Sequence, residues 1–374
     1  MSIGSIVLAI LVFSVIIIFH EFGHFIVAKA NHVGVIEFSL GMGPRILSWA
    51  GDGTKHRLLI FKSTAYFEEH PEYDEHTIYS WKILPFGGSC MMLGEEEDVD
   101  DERSFSRKSV WARMAIIFAG PFFNFILAFI LSLIVIGGIG HDPAVITGTD
   151  PGSPAAEAGL QEGDVIKEMG GSSIVVNREI SYYPIFHKLD GSPVHFVIER
   201  DGKEMEMDIA PKLVKQEDGS EKYQFGFFHS APREKVGFLG TLKYSAYEVK
   251  FWIDTTIKSL GLMITGQVST KQISGPVGIV QQVGQVVEES RPDGVTTVVM
   301  NLLMFSILIT ANLGVMNLLP IPALDGGRLL FLIIELIRRK PLPRKVETYV
   351  NVGGFAVLMA LMVFILANDI IKLF

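Results

Sequence analysis

Four long apolar segments constrain this chain more than any other feature of its sequence. They cover residues 3–28, 114–139, 298–321 and 350–366. Each approaches or exceeds the roughly 20 residues that a helix needs to cross ~30 Å of hydrocarbon. The segments between them are far more polar, so the sequence predicts four membrane spans and at least one domain outside the bilayer.

The first segment is predicted to be a retained helix and not a signal peptide. Residues 1–4 contain no Lys or Arg, and the apolar run leads directly into His20 and Glu21 without a small-residue cleavage site. Nucleic-acid binding is not expected, because the net charge is −9 and no basic stripe offsets it.

Basic residues next to the predicted spans indicate how the chain is oriented in the membrane. They are Arg103, Arg107, Lys108 and Arg113 before the second span, and Arg328, Arg338, Arg339, Lys340, Arg344 and Lys345 between the third and fourth. The positive-inside rule places both loops in the cytoplasm. Residues 141–297 and both chain ends are then expected outside.

A metal-binding pattern interrupts the first span. Residues 20–24 read His-Glu-Phe-Gly-His, and residues four apart share one face of a helix, so His20 and His24 can present two imidazoles to one zinc ion. Glu21 then lies beside the metal, where its carboxylate can accept a proton from water. Such short patterns also occur by chance, but ionisable residues inside a membrane helix are costly and usually functional.

Asp325 is the predicted third ligand. A catalytic zinc site needs about three protein ligands, and Cys90 is the only cysteine, so a thiolate site is not available. His20 follows about 17 apolar residues, or ~25 Å of helix, and Asp325 ends a span of the same direction, so the two should lie at similar depth. The alternative is that Asp325 caps a helix beginning at Gly326.

Several motifs resemble the site-2 protease family of intramembrane zinc metalloproteases. They are HEFGH at 20–24, FSLGMGP at 38–44, LPFGG at 84–88, AGPFFN at 119–124, GPVGI at 275–279 and NLLPIPALDGG at 317–327. The chain looks most like the bacterial, PDZ-containing members, the regulator-of-sigma or anti-sigma-factor protease type. Residues 87–91 read Gly-Gly-Ser-Cys-Met, where relatives commonly have Gly-Gly-Tyr-Val. This difference does not affect the metal site, but it leaves undecided which contacts the loop makes with a substrate.

The resemblance implies roles for individual residues. His20, His24 and Asp325 would bind one Zn²⁺, and Glu21 would be the catalytic base. Asn317 would help to hold the substrate, and Gly87 and Gly88 would lie in a β-rich loop that pairs with it. Expected substrates are single-span membrane proteins such as anti-sigma factors, or signal-peptide remnants, cut in regulated intramembrane proteolysis at the bacterial cytoplasmic membrane. An ordinary cytoplasmic hairpin is the alternative for the loop.

Residues 153–166 resemble the loop, short helix and turn of a bacterial PDZ domain. The segment reads Ser-Pro-Ala-Ala-Glu-Ala-Gly-Leu-Gln-Glu-Gly-Asp-Val-Ile, which predicts a short helix at 155–160 and a strand from Val165. Such a domain either captures a peptide by strand addition or excludes bulky ectodomains, and the sequence does not choose between these roles.

The predicted fold class is a four-helix transmembrane α core with a membrane-associated β-rich loop and one extracytoplasmic PDZ-like α/β domain. The predicted segments are a first span at 1–30, the β-rich loop at 31–111, a second span at 112–140, the PDZ domain at 141–230, a juxtamembrane amphipathic region at 231–297, a third span at 298–325, a cytoplasmic basic loop at 326–349 and a fourth span at 350–374.

The sequence predicts a zinc-dependent intramembrane endopeptidase, and three other functions make different demands on it. A PDZ scaffold with a vestigial site should lack one of His20, Glu21, His24 or Asp325, and all four are present. A transporter should carry an inverted repeat and charges spread over the other spans. A membrane-anchored peptidase for soluble substrates would carry its histidines on a soluble helix.

Overall fold

The computed structural model describes residues 3–73, 76–95, 97, 99–216, 219–267 and 275–372. The chain divides into two compact units. Met1–Leu131 and Ser269–Phe374 form the membrane unit, and Ser132–Val268 form the α/β unit. Each unit is described separately.

The first part of the membrane unit combines two long helices with a sheet. Its elements are α1 (Ile3–Ala30), β1 (Val35–Gly51), β2 (His56–Ile60), α2 (Thr64–Glu68), β3 (Ile78–Met92) and α3 (Val110–Ile139), the last of which continues into the α/β unit. Helices α1 and α3 are apolar throughout apart from a few polar residues. Both are therefore expected to span the bilayer.

The β-rich loop is a three-stranded antiparallel sheet in the order β2-β1-β3. All three strands lie within the segment 31–111 that was predicted to be β-rich, although the strand pattern is weak in β3. Pro85, Gly87 and Gly88 interrupt its pattern, and an edge strand tolerates such residues better than a central one. A small core of Ala28, Val35, Cys90, Met92 and Ile116 packs α1, the sheet and α3 together.

A buried ion network stabilises the sheet. Glu37 is 1% exposed, and it accepts hydrogen bonds from Arg45 Nε at 2.8 Å and Arg45 Nη2 at 3.0 Å. Lys82 Nζ lies 3.4 Å from the same carboxylate, and Ser80 also donates to it. Burial alone would raise the pKa of Glu37, but the hydrogen bonds and the two cations outweigh it and hold the pKa below its usual value.

The α/β unit contains a four-stranded sheet in the order β6-β5-β7-β8. Its elements are β4 (Gly148–Thr149), α4 (Pro154–Glu157), β5 (Val165–Met169), β6 (Ser172–Ser173), α5 (Asn177–Phe186), β7 (Val194–Arg200), β8 (Lys203–Ile209), β9 (Lys212–Lys215), β10 (Glu221–Gln224), β11 (Phe227–Phe228) and α6 (Phe238–Ile264). Ile146, Ile166, Phe196 and Ile198 are fully buried at its core.

The PDZ-like motif forms the predicted local structure. Ser153 accepts a hydrogen bond from the Ala156 amide at the start of α4, Gly159 has φ of +87° just after that helix, and β5 begins at Val165. Only glycine adopts such a φ without strain. The short helix and the turn therefore follow from the sequence, although α4 ends at Glu157, three residues before the predicted end of the helix at 160.

The amphipathic region that was predicted from residue 231 divides into two helices. In the α/β unit, α6 buries Phe251 and Trp252 and contacts the Tyr182 ring of α5 edge-on. The apolar side of α6 therefore packs on the PDZ-like domain. The later helix, α7 (Pro276–Ser290), belongs to the membrane unit.

Three further helices complete the membrane unit. They are α8 (Val295–Asn317), α9 (Asp325–Arg338) and α10 (Arg344–Ile371). Within the described part of the chain, four helices are long and apolar enough to cross a membrane, namely α1, α3, α8 and α10. The predicted fold class is confirmed in its four membrane helices, its β-rich loop and its PDZ-like α/β domain.

Two predicted boundaries after residue 297 were wrong. The third span was expected to reach Asp325, but α8 ends at Asn317, because Pro320 and Pro322 cannot continue a helix. The expected basic loop at 326–349 is largely the helix α9. Its apolar residues recur at helical spacing but are too few to span a bilayer, so counting only its Lys and Arg suggested a loop.

Candidate metal centre

Two histidines and one aspartate from opposite ends of the chain meet within the membrane unit. His20 Nε2 lies 3.1 Å and His24 Nε2 lies 3.6 Å from Oδ2 of Asp325. The two Nε2 atoms are 3.2 Å apart. Both histidines are buried and Asp325 is half-buried. Among the described residues, these are the one group of three or more His, Cys, Asp or Glu side chains close enough to share a metal ion.

The donor set fits zinc. Tetrahedral ligands at 2.0–2.1 Å from Zn²⁺ are separated from each other by about 3.3 Å, and the three distances above lie close to that value. Two imidazole nitrogens and one carboxylate oxygen are ordinary zinc ligands, and three of them leave a fourth position open. The residues present therefore fit a catalytic zinc ion.

Helix α3 orients both imidazoles through their other ring nitrogens. His24 Nδ1 lies 2.9 Å from the carbonyl oxygen of Ile116, and His20 Nδ1 lies 3.2 Å from Nδ2 of the Asn124 amide, whose Oδ1 takes that place when the amide is rotated. A metal-binding histidine almost always donates its second N–H to such a partner, which fixes the ring and the tautomer. These two contacts turn both Nε2 atoms towards Asp325.

Asn124 was not predicted as a site residue, although it stands in the family-like motif at 119–124. It is fully buried, and its Oδ1 has no hydrogen-bond partner among the described residues. Rotation of the amide brings this oxygen to Nδ1–H of His20, where it can accept. A polar residue inside an apolar span was the available signal.

Gly23 and Gly120 make room for the two helices and the two imidazoles. A Cβ at Gly120 would lie 2.2 Å from Nε2 and 2.5 Å from Cε1 of His24. A Cβ at Gly23 would lie 2.4 Å from the Ala119 carbonyl oxygen. Glycine at both positions lets α1 and α3 cross closely enough for α3 to reach the rings.

A tight turn positions Asp325 as the first residue of α9. Leu324 is the N-cap and makes no side-chain cap bond, so Asp325 does not occupy the capping position that was its alternative. A Cβ at Gly326 would lie 2.2 Å from the Leu319 carbonyl oxygen, and one at Gly327 would lie 2.3 Å from that of Ile321. The glycine pair therefore lets the helix pack directly on the turn before it.

Glu21 lies next to the edge of the sheet. It is half-buried, and a Cβ at Gly88 of β3 would be 3.3 Å from its Cγ and 3.1 Å from the Ser39 carbonyl oxygen. Gly87 has φ of +85°. The structure therefore brings Gly88 to the Glu21 side chain and places Gly87 beside it in the same strand.

Asn317 is the last residue of α8 and is half-buried. Within the described part of the chain, no recorded contact joins it to the three-residue cluster. Its role in substrate binding stays a prediction.

Comparison with known proteins identifies relatives that are named as zinc metalloproteases or proteases. The family model for Peptidase family M50 matches residues 8–361. A Clostridium acetobutylicum protein is 34% identical over 373 residues, covering 99% of this chain and 98% of its own length. The "Regulator of sigma-W protease RasP" of Bacillus subtilis is 30% identical, covering 100% of both chains. The "Zinc metalloprotease RasP" of Bacillus licheniformis is 31% identical, covering 99% of this chain and 100% of its own.

Among solved structures, the PDZ domain of an SdrC-like protein from Listeria innocua is 24% identical to its matched segment. It covers 25% of this chain and 100% of that chain, with a TM-score of 0.20.

Proposed function

Because the chain belongs to peptidase family M50 and is a zinc metalloprotease, we propose that it cleaves peptide bonds of single-span membrane proteins or signal-peptide remnants within or beside the bilayer. The observation that carries this proposal is the position of Glu21. It follows His20 directly on a membrane-spanning helix whose two histidines meet Asp325.

The proposed roles follow from the geometry of the site. His20, His24 and Asp325 would hold the zinc ion. When bound, zinc supplies a Lewis acid that polarises the scissile carbonyl and makes a water more acidic. Glu21 would accept the proton of the attacking water and later donate a proton to the leaving amine. Neither histidine is then needed as an acid or base.

The sheet is the proposed docking edge for the substrate. A helical substrate hides its amides in internal hydrogen bonds, so the bond to be cut must be exposed by local unwinding. Strand β3 is an edge strand of the sheet and carries Gly88 beside Glu21. An unwound segment that pairs with this edge would satisfy its own backbone groups and lie next to the proposed base.

Anti-sigma factors are proposed as one substrate class, on the basis of the name of the Bacillus subtilis relative. We also propose that the α/β unit and both chain ends lie on the extracytoplasmic side. The basic residues before α3 and along 326–349 support this orientation through the positive-inside rule. Maleimide labelling of single cysteines at exposed positions of each side in intact vesicles would test it.

Cleavage of a tagged single-span substrate by purified protein tests the function. A positioned general base contributes about 10²–10⁴ in rate, so Glu21→Gln should lower cleavage at least about 100-fold and retain zinc. Glu289→Gln changes an exposed residue of the same unit and should cleave like the wild type. Equal cleavage by Glu21→Gln, or a wild-type protein that binds no zinc after reconstitution, would overturn the proposal.

A further inference from the structure

Helix α9 pairs two of its charged side chains with other parts of the protein and leaves several apolar side chains exposed. Glu335 is buried and pairs with Arg113 of α3, and Arg328 pairs with Glu95. On the other side, Ile333 is 40% and Ile337 is 76% exposed. A helix that faces water has the opposite distribution. The outer face of α9 is therefore suited to apolar surroundings.

The length and connections of α9 place it at a membrane surface. It has 14 residues, which is about 21 Å of helix and too short to cross ~30 Å of hydrocarbon. It is joined at one end to α8 and at the other to α10, and both are candidate spans. A helix in this position can bury its outer face only in the headgroup and upper acyl region.

Positive charge is concentrated where α9 ends. Residues 336–349 contain five basic residues and one acidic residue, Glu347. Arg338, Arg339, Lys340 and Lys345 are exposed, and no ion pair is recorded for any of them within the described part of the chain. Each basic residue near an anionic membrane surface contributes about a fivefold preference.

The geometry points to a binding surface for anionic phospholipid. We define the α9 lipid face as Leu330, Ile333, Ile337 and the cations Arg338, Arg339 and Lys340. The apolar members contact acyl chains, and the cations bind phosphate headgroups at the same end. An apolar outer face beside an unpaired basic cluster matches the two parts of an anionic lipid.

This surface connects lipid binding to the metal centre. Asp325 is the first residue of α9, so a headgroup held at the far end restrains the helix that carries it. This step rests on the proposed function, and anionic lipid is expected to increase proteolysis. Binding itself is independent of catalysis and can be measured alone.

Collisional quenching by brominated lipid tests the binding. A fluorophore is attached to the full chain at Ile337→Cys, after Cys90→Ala has removed the natural thiol, and the protein is reconstituted in phosphatidylcholine vesicles. Brominated phosphatidylglycerol or brominated phosphatidylcholine is added at equal mole fraction. The expected result is stronger quenching by phosphatidylglycerol, corresponding to a local enrichment of about fivefold or more.

The charge requirement is tested with two triple variants. Arg338→Gln, Arg339→Gln and Lys340→Gln together should abolish the preference for phosphatidylglycerol. Lys203→Gln, Lys215→Gln and Lys222→Gln together remove the same charge from exposed positions of the α/β unit and should leave it unchanged. Equal quenching by both lipids in the wild type, no quenching by either, or equal loss in both triple variants would overturn the inference.

Failure of this inference and failure of the proposed function give different results. A protein that cleaves its substrate but shows no lipid preference retains the proposed function only. A protein that shows selective quenching without proteolysis retains the α9 lipid face and overturns the proposed function.

Discussion

The side-chain amide of Asn124 lies 3.2 Å from Nδ1 of His20, and both residues are buried. The Asn124 backbone is itself held by α8, because Thr310 Oγ1 donates to its carbonyl oxygen at 3.1 Å. One histidine is thus oriented by a residue whose own position depends on a third helix. The orientation of the proposed ligand therefore depends on how α1, α3 and α8 pack.

Asn124→Ala should weaken zinc binding by about 10–100-fold, which is the usual effect of removing such a partner of a metal-bound histidine. Asn124→Asp keeps an acceptor for Nδ1–H and should bind zinc more tightly than the alanine variant. Competition with a chelator measures both. Asn301→Ala removes an asparagine that donates to Ser290 and should retain wild-type affinity. If Asn124→Ala binds zinc as tightly as the wild type, Asn124 does not orient His20.

Gly120→Ala should prevent zinc binding, because the added methyl group would lie 2.2 Å from His24 Nε2. Gly137→Ala is the matched control in the same helix, since its added methyl group would come no closer than 3.9 Å to Thr241 Cγ2. Metal content after purification compares the two. If Gly120→Ala contains as much zinc as Gly137→Ala, the imidazole of His24 does not lie against Gly120.

Gly88→Ala should lower the cleavage rate while zinc is retained. Its methyl group would lie 3.3 Å from Glu21 Cγ and 3.1 Å from the Ser39 carbonyl oxygen, which displaces the proposed base but not the ligands. The expected loss is about tenfold or more, within the range for disturbing a general base. Gly353→Ala meets no atom within 4 Å and serves as control. Loss of zinc in Gly88→Ala would show that the effect reaches the metal centre instead.

The Glu37 network should make the sheet sensitive to acid. The pKa of Glu37 is lowered in the folded state, so its stabilisation is fully present above the unfolded value of about 4.3 and is lost as the pH falls through the folded value. Glu37→Gln should lower the free energy of unfolding at neutral pH by about 3 kcal/mol, because it leaves Arg45 and Lys82, whose side chains are only 11% and 15% exposed, without their counter-charge. In this variant the free energy of unfolding should also fall less steeply as the pH is lowered.

Tryptophan fluorescence on heating at several pH values measures this effect, since Trp49 and Trp81 lie in the same sheet. Glu204→Gln, at an exposed position of β8, should leave the profile unchanged. An acid profile that is the same in Glu37→Gln and the wild type would assign the sensitivity to other carboxylates.

The fold was predictable from the sequence wherever a local rule decides it. Span length predicted four membrane helices, and the motif at 153–166 predicted the short helix, the turn and the strand from Val165. The four-residue spacing of His20 and His24 placed both on one face of α1. Proximity of Asp325 to them required an argument about depth, because no local pattern connects residues so far apart in the chain.

The remaining features depend on tertiary contacts that have no local signature. Strand β3 contains Pro85 and two glycines, and its pairing with β1 outweighs its weak strand propensity. Asn124 has a partner only because α1 and α3 cross at Gly23 and Gly120. Helix α9 was not predicted because its basic residues suggested a loop, whereas Arg328 pairs with Glu95 and Glu335 pairs with Arg113 of α3.

The distribution of the three clustered residues along the chain has a consequence for biosynthesis. His20 and His24 precede Asp325 in the chain by about 300 residues, so the two histidines are synthesised first. A nascent chain therefore holds an incomplete set of donors until α8 and α9 have been made and have packed against α1. Completion of the site becomes a checkpoint on assembly, so the proposed active site cannot hold its full set of ligands until α8 and α9 have packed.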